Sequence, residues 1–435
     1  MLEFILTVLI WALLGGVPGY YVAYVRQYNP RHGVLVGALL GVAVGVFGVG
    51  LGAVPSATHA VVMLLELAVI IALLIPRGRF DEQVTARGRI ANLAYALLTP
   101  TALIVVGVVI FPLIWNIIFS VRPIEVGDLA TVQLFDLTDF TLENFDSQMG
   151  VRLDIIPCET DENGACLVDD EGEIQYVNPR NYLEGYRRYR AVNEFDLFGQ
   201  HFIVGVRDRE FYPMIWRTFF YTLTSTLLAI LFGLIAALIV RDRFPGRAIF
   251  RGFILFPYIA PVISVAFIWQ VLFSTNGFIN GLMGTSTNFL STRDQFLGID
   301  IPLVMVILFQ TWRYFPFAFL FLLARIQAIP EEMYEAAKVD GATPLARLFY
   351  ITLPQLRAVF GTLFLLRFIW TFNKFDDIYL LTGPISQTKV IPIQIFESLF
   401  TNSNIGQASA IAVIMAVILG AVLYIYFRWF LVEEA

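Results

Sequence analysis

An all-α protein that crosses a membrane many times is what the sequence predicts, on three observations. Of its 435 residues, 58% are hydrophobic and 15% charged, and the mean hydropathy is +0.72, outside the range of soluble globular chains. Apolar windows of about 20 residues, enough for a helix to traverse the hydrocarbon core, recur along the whole length. Arginine collects in alternate connections between those windows, the pattern of loops retained on the cytoplasmic side.

The windows fall near 2–25, 33–54, 57–76, 91–120, 211–240, 248–274, 300–324, 356–382 and 405–431. They predict nine spans, or eight if the second and third merge. The first lacks a small-residue cleavage site, so it is read as a span and not as a signal peptide. The second carries Gly37, Gly41 and Gly45 at four-residue spacing, which lets a neighbouring helix approach closely and reads as ordinary packing. Arg26 and Arg31, then Arg77, Arg79, Arg87 and Arg89, then Arg241, Arg243, Arg247 and Arg251, then Arg325, Arg347 and Arg357 mark the cytoplasmic loops. With nine spans the amino terminus lies outside and the carboxyl terminus inside.

Residues 122–210 break the apolar rhythm. They hold 19 acids against 8 arginines, too polar for a span and too long for a connection, and predict a small folded lobe outside the membrane. Both cysteines, Cys158 and Cys166, lie there. They flank Asn163-Gly164, a favoured turn, so a hairpin closed by a disulfide in an oxidising compartment is the first reading. A calcium loop is the alternative, because Glu159, Asp161, Asn163, Gly164 and Asp170 match EF-hand spacing. Against it, the first and last ligands are swapped in type, and a disulfide across the loop would interfere. Elsewhere His32, His59 and His201 are too dispersed to suggest a metal cluster, and no metal site is assigned.

Between the seventh and eighth windows, residues 326–357 form a polar loop where a tight turn would have sufficed. Glu331, Glu332 and Glu335 follow Pro330, placing acids at a helix start where the dipole favours them. Gly341 ends that helix and Thr343-Pro344 opens another. The pattern predicts two short helices at the membrane surface.

Glu335-Ala336-Ala337-x-x-Asp340-Gly341-Ala342, followed by Phe349-x-Ile351-x-Leu353-Pro354, resembles the EAA loop of binding-protein-dependent ABC importer permeases. Phe140-Thr141-x-x-Asn144-Phe145, Phe256-Pro257-x-x-x-Pro261, Leu380-Leu381-Thr382-Gly383-Pro384 and Gly406-x-Ala408-Ser409-Ala410 resemble the sugar-importing branch, of maltose or alpha-glucoside type. One departure is the single glycine, Gly383, where relatives often carry two or three.

The resemblance covers 91–435 apart from the insertion. It implies a six-helix type I permease core, with the first core helix at 91–120 and the rest at 211–435. About three extra amino-terminal helices occupy 1–90. It also implies that the segment around Gly341 to Arg347 seats in a cleft of an ATPase subunit. Glu335 and Asp340 would hold the loop's shape, and Ala336, Ala337 and Ala342 would permit close packing.

The implied partners are a second permease subunit, two ABC ATPase subunits, a substrate-binding protein touching the 122–210 lobe, a sugar and the lipid membrane. Nucleic acid is not among them. No cofactor is expected on this chain, which lacks a Gly-x-x-x-x-Gly-Lys-Ser/Thr phosphate loop; ATP and Mg would reside on the partner. The chain is therefore expected to be non-catalytic and to lie in the cytoplasmic (inner) membrane of a prokaryote.

Charged and amide side chains inside a span are functional candidates by default. The eighth window concentrates them: Arg367, Trp370, Thr371, Asn373, Lys374, Asp376 and Asp377. On one continuous helix Trp370, Asn373 and Asp377 would share a face. The equivalent helix in maltose-type permeases lines the sugar site, and aromatic faces with amides and carboxylates suit a di- or oligosaccharide. The competing reading is structural: Arg367 and Lys374 pair with Asp376 and Asp377 and stabilise the bundle. Trp312 and Tyr314, with Gln310 and Arg313, and Trp269 with Gln270, are secondary pathway candidates. Alternatives to sugar import are a permease for glycerol-phosphate or another small polar solute, and an ion-coupled secondary transporter using Asp376, Asp377 or Glu66. The latter would show internally repeated spans, and none is evident.

Overall fold

The computed structural model describes residues 105–130, 139–161, 164–169, 172–179, 188–197, 200–242 and 244–430, with Tyr20, Val34, Gly37, Ala38 and Gly41. The three amino-terminal windows and their arginines lie outside the described residues apart from those five positions, as do Arg243, Asn163 and Asp170. The chain divides into two compact units, one of residues 1–118 and 128–140, the other of 119–127 and 141–435. The first contributes most of α1 (Phe111–Ser120), which follows a wider helical turn at Val106–Ile110.

The second unit begins with α2 (Glu143–Met149), then a three-stranded antiparallel sheet of β1 (Val151–Ile156), β2 (Arg190–Leu197) and β3 (Gln200–Val206) in the order β1-β3-β2. Leu153 faces Val204 across one pair and Glu194 faces Ile203 across the other. Between β1 and β2 the Cys158 and Cys166 sulfurs are bonded, with their Cα atoms 5.5 Å apart. An isolated antiparallel bridge joins Thr160 to Cys166, and the Asp161 carboxylate accepts from the Ala165 N–H at 2.9 Å. Asp161 thus serves the turn itself.

The Asn144 amide donates to the carbonyls of Ser120 and Arg122 at 3.0 and 2.7 Å, and Arg207 pairs with Asp146 and, at 2.8 Å, Glu143. A Cβ on Gly406 would collide with the Arg122 carbonyl and the Asn144 amide. Asn144 and Gly406 are therefore two sides of one junction.

Four helices among the described residues are long and apolar enough to cross a membrane: Phe211–Ile239, Ile301–Gln327, Pro344–Phe372 and Ile405–Arg428. The first is α3 (Phe211–Ile239). The window at 248–274 is not one straight span. It forms α4 (Arg247–Ile259) and α5 (Val262–Leu272), bent by 93°, because Pro261 pushes Ala260 into an extended conformation (φ −60°, ψ 140°). A short α6 (Phe278–Met283) and the two-residue pair β4 (Gln295–Phe296) and β5 (Ile299–Asp300) lead into α7 (Ile301–Gln327).

Next come α8 (Glu331–Val339) and α9 (Pro344–Arg347), and a wider helical turn at Leu348–Thr352 that runs into α10 (Leu353–Phe372). The window at 356–382 is likewise corrected, for α10 stops at Phe372 and a separate α11 (Asp376–Thr382) follows. Then come α12 (Ile391–Phe396) and α13 (Ile405–Phe430).

The core has three apolar clusters. One joins Tyr221 of α3, Val306 and Phe309 of α7 and Ile378 of α11; a second joins Ala237, Phe319, Leu322 and Leu363; a third joins Phe211, Phe368, Phe372 and Ile411. Helices α3 and α7 approach closely at Gly233, where a Cβ would lie 2.7 Å from the Ala318 Cβ and 2.8 Å from the Phe319 backbone nitrogen. Backbone resists such a shift, so Gly233→Ala is expected to cost about 1–3 kcal/mol. The check is the thermal midpoint in detergent, with Gly420→Ala, which meets nothing within 4 Å, as the unaffected control. Equal midpoints would refute the close approach.

Candidate functional site: a capped polar loop joined to a buried polar cluster

The polar loop folds by local rules. Glu331 and Glu332 occupy the first turn of α8 and Lys338 the last, each with the sign the helix dipole favours. At the far end Gly341 takes φ +81°, the Gly341 N–H donates to the Lys338 carbonyl at 3.0 Å and the Ala342 N–H to the Ala337 carbonyl at 2.8 Å. This is a Schellman cap, which needs a left-handed residue at its glycine. Thr343 then caps α9, its hydroxyl accepting from the Ala346 N–H at 3.2 Å. Pro354 has no N–H to return to the preceding turn, and the helix widens over Leu348–Thr352 just before it.

The side chains of Glu335 and Asp340 are exposed, as is Ala336, while Ala337 and Ala342 are half-buried. Leu353 is half-buried and Pro354 exposed. What ties the loop to the bundle is Tyr334, buried at 3% exposure and hydrogen-bonded to Thr352 at 2.9 Å. Around the loop Arg325 donates to the backbone and side-chain oxygens of Gln355 at 3.1 and 2.9 Å. With its side-chain amide turned so that the oxygen faces the guanidinium groups, Gln327 accepts from Arg247 and Arg251 at 2.6 and 2.9 Å. Of the arginines counted as one side of the membrane from sequence, Arg247, Arg251 and Arg325 thus gather at one end of the helices. The outward surface of the loop is apolar at Val339, Leu345, Phe349 and Tyr350.

At the other end of α10 the structure gathers a charged cluster around Tyr314. Arg367 lies over its ring at 4.2 Å, Lys374 at 5.4 Å and Arg313 at 5.6 Å, within cation–π range. Lys374 reaches Asp376 at 2.9 Å and Asp377 at 3.6 Å, and Arg313 approaches Asp377 at 3.8 Å. Asp377 is 1% exposed and Arg367 2%. Arg367 also donates to the Thr371 hydroxyl at 3.1 Å. Arg313 reaches the Ala260 carbonyl at 3.1 Å, the acceptor freed where α4 breaks from α5. Gln270 holds the neighbouring α11 by its Leu380 and Leu381 carbonyls at 2.8 and 3.2 Å.

The structure therefore brings together Tyr314, Thr371, Asp376 and Asp377. It does not place Trp370, Asn373 and Asp377 on one helix face. Asn373 terminates α10 and donates its amide to the Ile369 carbonyl at 2.8 Å, and Asp377 belongs to the next helix. Trp312 packs on Trp269 at 5.9 Å. Trp370, 48% exposed, stands against Phe317 at 5.3 Å. Phe317 continues to Tyr258 at 6.1 Å and Tyr258 to Tyr314 at 6.0 Å. That aromatic row joins the charged cluster to an open face. Sequence reasoning missed Tyr258, Phe317 and Tyr334, and ranked Arg313 as secondary; a large aromatic at position 334 among the charged residues Glu331, Glu332, Glu335 and Lys338 was the signal for Tyr334. Among the described residues no group of three His, Cys, Asp or Glu side chains is arranged to hold a metal.

Residues 229–431 match the family of binding-protein-dependent transport system inner membrane components. The chain is 33% identical over 219 residues to the inner membrane ABC transporter permease protein YcjO of Escherichia coli, covering 50% of this chain and 73% of that one. It is 33% identical over 228 residues to the trehalose/maltose transport system permease protein MalF of Thermococcus litoralis, covering 51% and 75%. Among solved structures, a bacterial alginate ABC transporter in complex with alginate pentasaccharide-bound periplasmic protein aligns at 20% identity with a TM-score of 0.47, over 51% of this chain and 78% of that one, a likeness too slight to carry an argument. Identity of 33% over 73% and 75% of two ABC transporter permeases, together with the membrane-length helices and the capped loop between α7 and α10, shows that the chain belongs to the binding-protein-dependent transport system inner membrane components, as an ABC transporter permease.

Proposed function

We propose that the chain is the permease subunit of an ATP-driven sugar importer, carrying a di- or oligosaccharide such as maltose, trehalose or another alpha-glucoside. It pairs with a second permease subunit in the cytoplasmic membrane of a prokaryote, receives sugar from an extracytoplasmic binding protein, and is moved by two ABC ATPase subunits that hold the ATP and Mg. The observation that carries this reading is continuity. Residues Pro344–Phe372 form one helical path of 29 residues, about 40 Å at 1.5 Å per residue. It begins in the exposed apolar surface of α9 and ends beside the aromatic row.

On this reading the ATPase seats α9 and the faces of Val339, Leu345, Phe349 and Tyr350. Trp370, Phe317, Tyr258 and Tyr314 offer ring faces to sugar C–H surfaces, and Lys374 and Asp376 bind hydroxyls. The names of the maltose- and trehalose-transporting relatives support the same substrate class.

The test is ATP hydrolysis by the reconstituted complex with its binding protein, across a panel of sugars. Stimulation by one alpha-glucoside is expected. Trp370→Ala is expected to lower uptake about tenfold, the scale of one lost stacking contact of 1–2 kcal/mol, with the ATPase still bound. Transport by the chain without any ATPase would overturn the reading, and unchanged uptake would remove Trp370 from the pathway.

A further inference from the structure

Tyr334 has geometry that ATPase docking does not require. It sits on a polar helix whose outer residues face solvent, yet its own side chain is buried. The Thr352 hydroxyl donates to the Arg347 carbonyl at 3.4 Å, which leaves the Tyr334 hydroxyl as donor to Thr352. The Arg241 guanidinium lies over the Tyr334 ring, 3.9 Å from its centroid, immediately beyond the carboxyl end of α3. One side chain thus touches α8, the start of α10 and the end of α3.

The Schellman cap at Gly341 sets the angle between α8 and α9 through its two backbone hydrogen bonds, but those bonds lie within the loop. Without Tyr334, a push on the loop would be absorbed between the loop and the bundle. We propose that Tyr334 is a positioning residue: its hydrogen bond to Thr352 and its contact with Arg241 make the loop, α10 and α3 move as one body. Motion imposed by an ATPase then reaches both α10 and α3, the helix packed along α7. This rests on the ATP-driven permease reading above.

The test uses the full chain, assembled with its second permease subunit and ATPase in liposomes. Spin labels are placed at Glu332→Cys and Thr401→Cys; both sites are exposed, and the native cysteines are bonded to each other. The readouts are the ATP-plus-vanadate shift in the distance between labels and the rate of ATP hydrolysis. Tyr334→Phe keeps the ring and removes the hydroxyl, and Thr352→Val removes the acceptor at equal size.

Each is expected to leave hydrolysis within about twofold while reducing the vanadate-driven population about tenfold, the scale of one lost buried hydrogen bond. The double variant should be no worse than either single one, because both remove the same bond. An unchanged label shift in both variants would overturn the proposal. So would a fall in hydrolysis matching the fall in label movement, which would make Tyr334 an assembly residue. Failure of the proposed function would show earlier, as a wild-type chain that binds no ATPase.

Discussion

Asp377→Ala is expected to destabilise the protein by about 3–5 kcal/mol, the usual result of removing one partner from a buried charge pair. The carboxylate is 1% exposed and stands between Arg313 at 3.8 Å and Lys374 at 3.6 Å. Lys374 keeps Asp376 at 2.9 Å, but Arg313, itself only 9% exposed, would be left with the Ala260 carbonyl and no counter-charge. The pair should therefore behave as a unit. Arg313→Met combined with Asp377→Leu should recover most of the loss, since well-packed apolar replacements of buried ion pairs are commonly neutral or better. Thermal midpoints in detergent for the singles and the double decide the matter. A single substitution that leaves the midpoint unchanged would mean that Asp377 is not held as a buried charge. If the double recovers stability but not uptake, the cluster serves the pathway as well as the fold.

Gly341→Val should abolish coupling to the ATPase while the permease still folds. A left-handed conformation costs an L-residue roughly 1–2 kcal/mol, and a branched Cβ raises that cost. Space is not the obstacle, since nothing lies within 4 Å of the Cβ position. The cost is conformational and is relieved by letting the Schellman cap open, which frees the angle between α8 and α9. Gly341→Asn, which tolerates this conformation, should stay near wild type. Co-purified ATPase per permease should fall about tenfold or more for valine, the equivalent of about 1.4 kcal/mol, and little for asparagine. Equal retention in both would show that the left-handed turn does not set the docking surface.

The contrast between the two sites shows what could be read from residue order. The loop was legible because each device in it is local: acids after Pro330, a glycine at the helix end, Thr343-Pro344 at the next start. Neighbours along the chain satisfy these groups, so spacing alone is enough. The spans at 211–240, 300–324 and 405–431 were legible for a related reason, because length and apolarity are properties of one segment. Windows of apolar residues carry no direction, however. The 93° break between α4 and α5 and the end of α10 at Phe372 passed unseen, although Pro257-x-x-x-Pro261 and Asn373 stood in the sequence as signals.

The candidate site depended on those two breaks. A continuous helix would have put Trp370, Asn373 and Asp377 on one face. Ending the helix at Phe372 instead uses the Asn373 amide on the chain's own Ile369 carbonyl and turns Asp377 inward. The break at Ala260 frees a carbonyl that fixes Arg313. By itself the sequence determined a polytopic helical membrane protein and the shape of its polar loop, since both follow from segment composition and short-range hydrogen bonding. Only the tertiary structure decided which intramembrane charges meet, that Tyr314 stands at their centre, and that Tyr334 joins the loop to two helices. Those contacts link residues up to a hundred positions apart, and a buried charge or hydroxyl takes whichever partner helix packing brings within reach.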